Sequence, residues 1–220
     1  MYSFFRFDGP LVAILNKIGN IILASILWLL GCIPIVTVGV SSTALYYSMV
    51  KAVRADRGYV LQEYWTAYKK SLKKGILLSV GYLLGFLLLY VDYRYAGNKN
   101  NLQGLVFQGI YGVVALFLVE VAIYLFPMLS RFDLPVKQLL KMAVFSVFKY
   151  LPYTIGCNVI LLLLCLVSYY LPLLGIFAFA GLGCYLLSFL VEPVLRVFMP
   201  EPETEEEAQA WYYSLTRTKK

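Results

Sequence analysis

Between Lys17 and Lys51 the chain carries no charged side chain, and Pro34 stands near the middle of that run. As one continuous helix, the stretch from Ile18 to Val53 would measure about 54 Å. That is too long for one crossing of a hydrocarbon layer about 30 Å thick and short for two straight ones. The flanks supply the missing length. Leu11, Ile14, Leu15 and Ile18 recur at helical spacing while Asn16, Lys17 and Asn20 fall elsewhere. The first helix is therefore expected to start near Pro10, with Asp8 as its N-cap. Lys51 and Arg54 have stems long enough to reach the headgroups from a helix that runs to about Ala55. Pro34 removes a backbone donor and biases Ile33 away from helix, and Thr37 is placed to cap the return helix. Two crossings are expected here, 11–33 and 38–55, joined by a tight external turn.

The rest of the chain repeats the pattern. Hydrophobic residues make up 61% of it and charged residues 14%, with a mean hydropathy of +0.75, far from the roughly one-quarter charged composition of soluble domains. Further apolar runs predict crossings at 75–95, 102–130, 152–171 and 173–198. The expected fold is all-α: a polytopic membrane bundle of six helices in one domain, 1–200, followed by a cytoplasmic tail, 201–220. Six crossings place 17 of the 19 Lys and Arg residues on the cytoplasmic side, leaving Arg94 and Lys99 outside. Five crossings with an external N-terminus would place 15 inside and 4 outside. Both obey the positive-inside rule, the six-helix arrangement better. The net charge of +7 thus reflects topology, and no nucleic-acid partner is expected. The "LLGC" ending at Cys32 is a poor lipoprotein signal because "IPIV" continues the apolar run, so the N-terminus is expected to be retained.

Two basic segments are expected to lie at the inner membrane surface as amphipathic helices. In "VLQEYWTAYKKSLKK", residues 60–74, Leu61, Trp65, Tyr68 and Leu72 share a face with Tyr64 beside them, opposite Gln62, Thr66, Lys69, Lys70 and Lys73. Such a helix attracts anionic inner-leaflet lipids through its lysines and seats its rings among headgroups, or offers a docking surface for a protein. Tyr64, Trp65, Tyr68, Lys69, Lys70, Lys73 and Lys74 are the candidate contacts. The second segment, "RFDLPVKQLLKMAVFSVFKYLP", has Leu140, Val144, Phe148 and Leu151 on one face with Lys137, Lys141 and Lys149. Its start echoes "RFDGPL" at residues 6–11, the pattern an internal repeat would leave. In the tail, Thr204 and Glu207 form a capping box, and Trp211 and Tyr212 are candidate partner anchors.

A search for chemistry finds little. The chain has no histidine, and no metal, phosphate-loop or nucleophile-elbow motif is present, so neither an enzyme nor a cofactor is expected. Cys32, Cys157, Cys165 and Cys184 lie in apolar runs and read as small core residues. Glu120 is the intramembrane ionisable candidate. A neutral Glu120 bonded to Tyr124, Asn158 or the hydroxyls of the second crossing is the structural reading; a path for a proton or solute is the functional one. Those hydroxyls, Thr37, Ser41 and Ser48, share a stripe with Ala44 and Ala55 that suits close helix packing, as do Gly81 and Gly85 in GxxxG spacing. Glu192 and Arg196, four residues apart, are expected to pair along their own helix.

The segments "PIVTVGVSSTALYYSMVKAVR", "EYWTAYKKSLKKG" and "FPMLSRFDLPVKQLLKMAVFSVFKYLP" resemble the YesL-like family of Gram-positive bacterial membrane proteins, whose domain has no assigned molecular function. Members are typically encoded beside carbohydrate uptake and degradation genes, often those of ABC importers. The resemblance implies a multi-pass protein of the bacterial cytoplasmic membrane linked to sugar uptake, with importer subunits as partners. It supplies no catalytic residues. An accessory or regulatory component is the expected function, and a small solute transporter using Glu120 and the hydroxyl-lined face is the alternative.

Overall fold

A computed structural model of the chain describes residues 10–98, 102–170 and 178–199. Every regular element among them is helical. Helix α1, Pro10–Gly31, matches the expected first crossing; Asp8 lies outside the described residues. After the break at Pro34, a 3₁₀ turn at Ile35–Thr37 leads into α2, Val38–Ser48, which widens into a π-helical stretch at Met49–Arg54. Thr37 does occupy the N-cap position, but its hydroxyl makes no cap bond. It lies instead 2.7 Å from the Gly31 carbonyl and 2.6 Å from that of Pro34, closing the turn.

Helix α3 runs unbroken from Val60 to Gly97, 38 residues or about 57 Å. The basic segment 60–74 and the crossing at 75–95, expected as separate helices, are one element, because no proline or turn chemistry interrupts the sequence between them. Helix α4 is Leu102–Arg131, α5 is Val136–Lys149 and α6 is Leu151–Tyr170. A π-helical stretch at Ala178–Leu182 opens α7, Gly183–Val197. The "RFDGPL" half of the expected repeat falls largely outside the described residues.

Among the described residues, five helices are long and apolar enough to cross a membrane: Ile14–Gly31, Val60–Gly97, Leu102–Arg131, Leu151–Tyr170 and Ala180–Val197. The 35–54 segment is not among them, since its three helical pieces are each too short. It is instead the centre of the packing. Val40, Ala44, Leu45, Met49, Val50 and Val53 are each at most 4% exposed. Tyr46 and Val50 belong to one apolar cluster with α4, α5 and α7, while Ala44, Leu45, Met49, Ala52 and Val53 join a second with α1 and the start of α3. A helix buried on all sides has no polar face, which is why its small and hydroxylated residues point everywhere inward.

Close approach makes this possible. The Gly39 amide donates to Ser79 Oγ at 2.8 Å, and a Cβ at Gly75 would come within 2.7 Å of Val40 Cγ2. In lipid, where helix association gains little from the hydrophobic effect, such contacts carry the packing energy as dispersion. The GxxxG pair plays no such part: a Cβ at Gly81 would meet nothing within 4 Å, and at Gly85 only Leu118 at 3.8 Å. Those two glycines border a cavity of about 360 Å³ between α3, α4 and α5.

Candidate functional site

Helix α3 buries Val60, Tyr64, Ala67, Ser71, Gly75 and Leu78, a stripe at helical spacing that faces α2. Leu61, Gln62, Trp65, Thr66, Lys69, Lys70 and Lys73 remain exposed on the other sides. Beside its aromatic and basic surfaces, the segment thus has a third face fastened to protein. On the free surface Trp65 and Tyr68 stack with ring centroids 5.5 Å apart and planes 6° apart, and Lys69 Nζ sits 5.7 Å from the Trp65 ring centroid. Tyr68 is half-buried behind them.

Two candidates depart from that surface. Tyr64 is 1% exposed, and its hydroxyl lies 2.7 Å from Ser41 Oγ, which is also 2.9 Å from the Trp28 carbonyl. It is a buried bolt between α1, α2 and α3 rather than an interfacial ring. Lys74 is half-buried and donates to the Asp133 carboxylate and, at 3.1 Å, to the Leu134 carbonyl. The Lys74 hydrogen bond and charge, with help from Lys70, hold the Asp133 carboxyl below its ordinary range. Trp211 and Tyr212 lie outside the described residues.

Helix α5 behaves like α3. Leu139, Ala143, Ser146 and Val147 are buried, one position away from the expected apolar face, while Val144, Phe145 and Phe148 look outward at 36%, 52% and 62% exposure. In both helices the protein-facing stripe includes small residues, as close packing between membrane helices favours. Of the cysteines, Cys157 is buried, Cys32 and Cys184 are half-buried, and Cys165 is exposed rather than in the core.

The intramembrane candidates separate into two places. Glu120 on α4 is 5% exposed, and its carboxyl has the Asn158 carboxamide of α6 as a polar neighbour. The Tyr124 hydroxyl pairs with Thr154 Oγ1 at 2.9 Å instead. Ser48 Oγ donates to the Leu45 carbonyl at 3.0 Å, and Ser41 and Thr37 are engaged as described above. No hydrogen bond joins Glu120 to that stripe, so the hydroxyls act in packing and do not form a common lining with it.

A third feature is legible only in three dimensions. Glu192 does not pair with Arg196 along α7. Its Oε1 accepts a hydrogen bond from Arg131 Nη2 at the end of α4 and another, 2.9 Å long, from the Tyr46 hydroxyl of α2. The Arg131 and Glu192 side chains are 3% and 1% exposed. Nearby, the π-helical stretch after α2 sends Arg54 Nη1 to the Ser188 carbonyl at 2.8 Å and Lys51 Nζ to Glu63 at 2.7 Å. Wide turns of this kind often sit at functional positions. The signal was present in the sequence: Glu192, like Glu120, is an acid inside an apolar run, and its nearest basic residue along the helix drew attention from Arg131.

A family model described as "Protein of unknown function, DUF624" matches residues 21–93. Over these residues the chain is similar to a DUF624 protein. The matched stretch takes in the second half of α1, all of α2 and most of α3, including the Trp28–Ser41–Tyr64 junction and the exposed Trp65–Lys69 surface, and is consistent with the YesL-like resemblance. Glu120, Arg131, Asn158 and Glu192 fall outside it. No curated protein and no solved structure matches the chain.

Proposed function

We propose that this DUF624-like chain works by contact rather than catalysis, as an accessory or regulatory component of an ABC-type carbohydrate importer in the bacterial cytoplasmic membrane. In this reading the 35–54 segment is the second of six crossings, both termini are cytoplasmic, and α3 presents Leu61, Trp65, Lys69, Lys70 and Lys73 to an importer subunit. The observation that supports it is the α3 surface: exposed aromatic and basic side chains on a helix whose opposite face is clamped by a buried neighbour. A rigid mount lowers the ordering cost of binding. The link to carbohydrate uptake rests on the YesL-like resemblance.

The test is affinity purification in mild detergent from the native membrane, comparing wild type with a Trp65→Ala, Lys69→Glu, Lys73→Glu variant. All three side chains are exposed, so the variant is expected to fold. An importer subunit that co-purifies with wild type and is lost from the variant supports the reading; a protein that emerges alone in both cases sinks it. The second reading, a small solute transporter, is favoured by the buried Glu120 carboxyl facing the neutral Asn158 carboxamide inside the helical bundle. Solute uptake unchanged by Glu120→Gln would remove it.

A further inference from the structure

Helices α4 and α6 are joined by the Tyr124–Thr154 hydrogen bond, and alongside that contact the space between them is a cleft of about 810 Å³. Leu116, Ile123 and Phe126 of α4 and Leu161 and Leu162 of α6 form its walls, and α2 and α7 close its back through Tyr46 and Val191. Its mouth opens sideways. Leu116 is 54% and Leu162 64% exposed, and the surface continues along α6 in Ile155, Val159 and Leu166. The polar groups lining the cleft have partners: the Trp28 indole donates to Ser42 Oγ at 3.2 Å, Ser42 donates to the Val38 carbonyl at 2.8 Å, and the Asn158 carboxamide is engaged with Glu120.

Protein interiors are close-packed, so a void of this size is filled by something. Its volume is within the range of small-molecule sites, roughly 300–1,000 Å³, and its mouth is continuous with helix faces that only hydrocarbon solvates well. Two apolar occupants compete, a lipid chain and a transmembrane helix of another protein or a second copy. Helices associate in lipid where small residues let backbones approach. The cleft walls set Leu116, Ile123, Phe126, Leu161 and Leu162 around the small Ala122 and Cys165, so a helix backbone would meet projecting side chains on both sides, whereas a flexible chain follows an irregular slot without needing that approach. We infer that the cleft between α4 and α6 is a lateral binding site for the hydrocarbon chain of a membrane lipid.

The purified protein, reconstituted in vesicles of phosphatidylethanolamine and phosphatidylglycerol, tests this. A minor fraction of the phospholipid carries a photoactivatable diazirine near the end of one acyl chain, and adducts are mapped by mass spectrometry. Wild type is expected to be labelled at Ile123 and Leu161 in the cleft as well as at Leu88, an exposed position on α3. Ala122→Trp, which fills the cleft from α4, and Cys165→Trp, which narrows it from α6, should reduce the cleft adducts several-fold and leave those at Leu88. Leu88 reports correct insertion, so if one variant fails to fold the other decides. Cleft residues unlabelled in wild type while Leu88 is labelled, a pattern unchanged in both variants, or an unlabelled cleft in a protein that runs as a dimer would each overturn the inference. The assay needs no partner protein, so its outcome is independent of the importer reading.

Discussion

Glu120 and Glu192 are both acids buried within helices long enough and apolar enough to cross a membrane, and their surroundings are opposite. Glu192 is held by a guanidinium and a phenol from two other helices. Glu120 faces the neutral carboxamide of Asn158. A buried acid with its partners in place is an architectural element, since removing any member strands the others in a low-dielectric interior. A buried acid set against a neutral carboxamide can exchange its carboxyl for an amide without stranding a charge.

That contrast can be broken at several strengths. The largest effect is expected for Glu192→Ala, which leaves Arg131 buried against a missing counter-charge and should cost about 3–5 kcal/mol. Thermal unfolding in detergent measures it, and a loss below that of an ordinary surface substitution would dissolve the distinction between the two acids. Next comes Tyr46→Phe, which removes one hydrogen bond to a charged group and should cost about 1.5–3 kcal/mol in the same assay. Combined with Glu192→Ala it should add far less than its single-variant cost, because both act on one network.

Glu120→Gln sharpens the comparison from the other side. The amide keeps the size of the carboxyl and can still bond to Asn158, so a change within about 1 kcal/mol is expected; destabilisation matching Glu192→Ala would show Glu120 to be structural after all. The smallest effect belongs to the exposed pair of Lys74 and Asp133, joining α3 to the loop before α5. Because the folded-state pKa of Asp133 is depressed, its contribution is present above the unfolded value near about 3.9 and lost as pH falls through the folded one. The melting difference between wild type and Asp133→Asn should therefore be visible at neutral pH and vanish in strong acid. A difference that persists there would assign the effect to something other than the ion pair.

Much of the candidate surface was legible beforehand. Trp65, Lys69, Lys70 and Lys73 lie exposed where the pattern of residues 60–74 put them, because charged stems and an exposed ring have no partner that would draw them inward. Tyr64 went the other way by a single position. One step along a helix turns a side chain by about 100°, and whether Tyr64 or Trp65 meets a neighbour depends on where α2 stands, which residues 60–74 do not encode. The same one-position offset recurs in α5, where Ala143 and Ser146 rather than Phe148 face the protein.

Apolar runs, the break at Pro34 and the basic residues between runs are local properties, and they determined the helical class and the five long apolar helices. The backbone must satisfy its own hydrogen bonds wherever water is absent, so a run of that length becomes a helix whatever surrounds it. Only the tertiary structure decided that the 35–54 segment is the packed centre, that 60–97 is one helix, that Glu192 bonds to Arg131 and Tyr46, and that a cleft opens between α4 and α6. Those outcomes depend on which helices come close, and in an apolar solvent that is settled by small residues and a few buried polar contacts far apart in the chain.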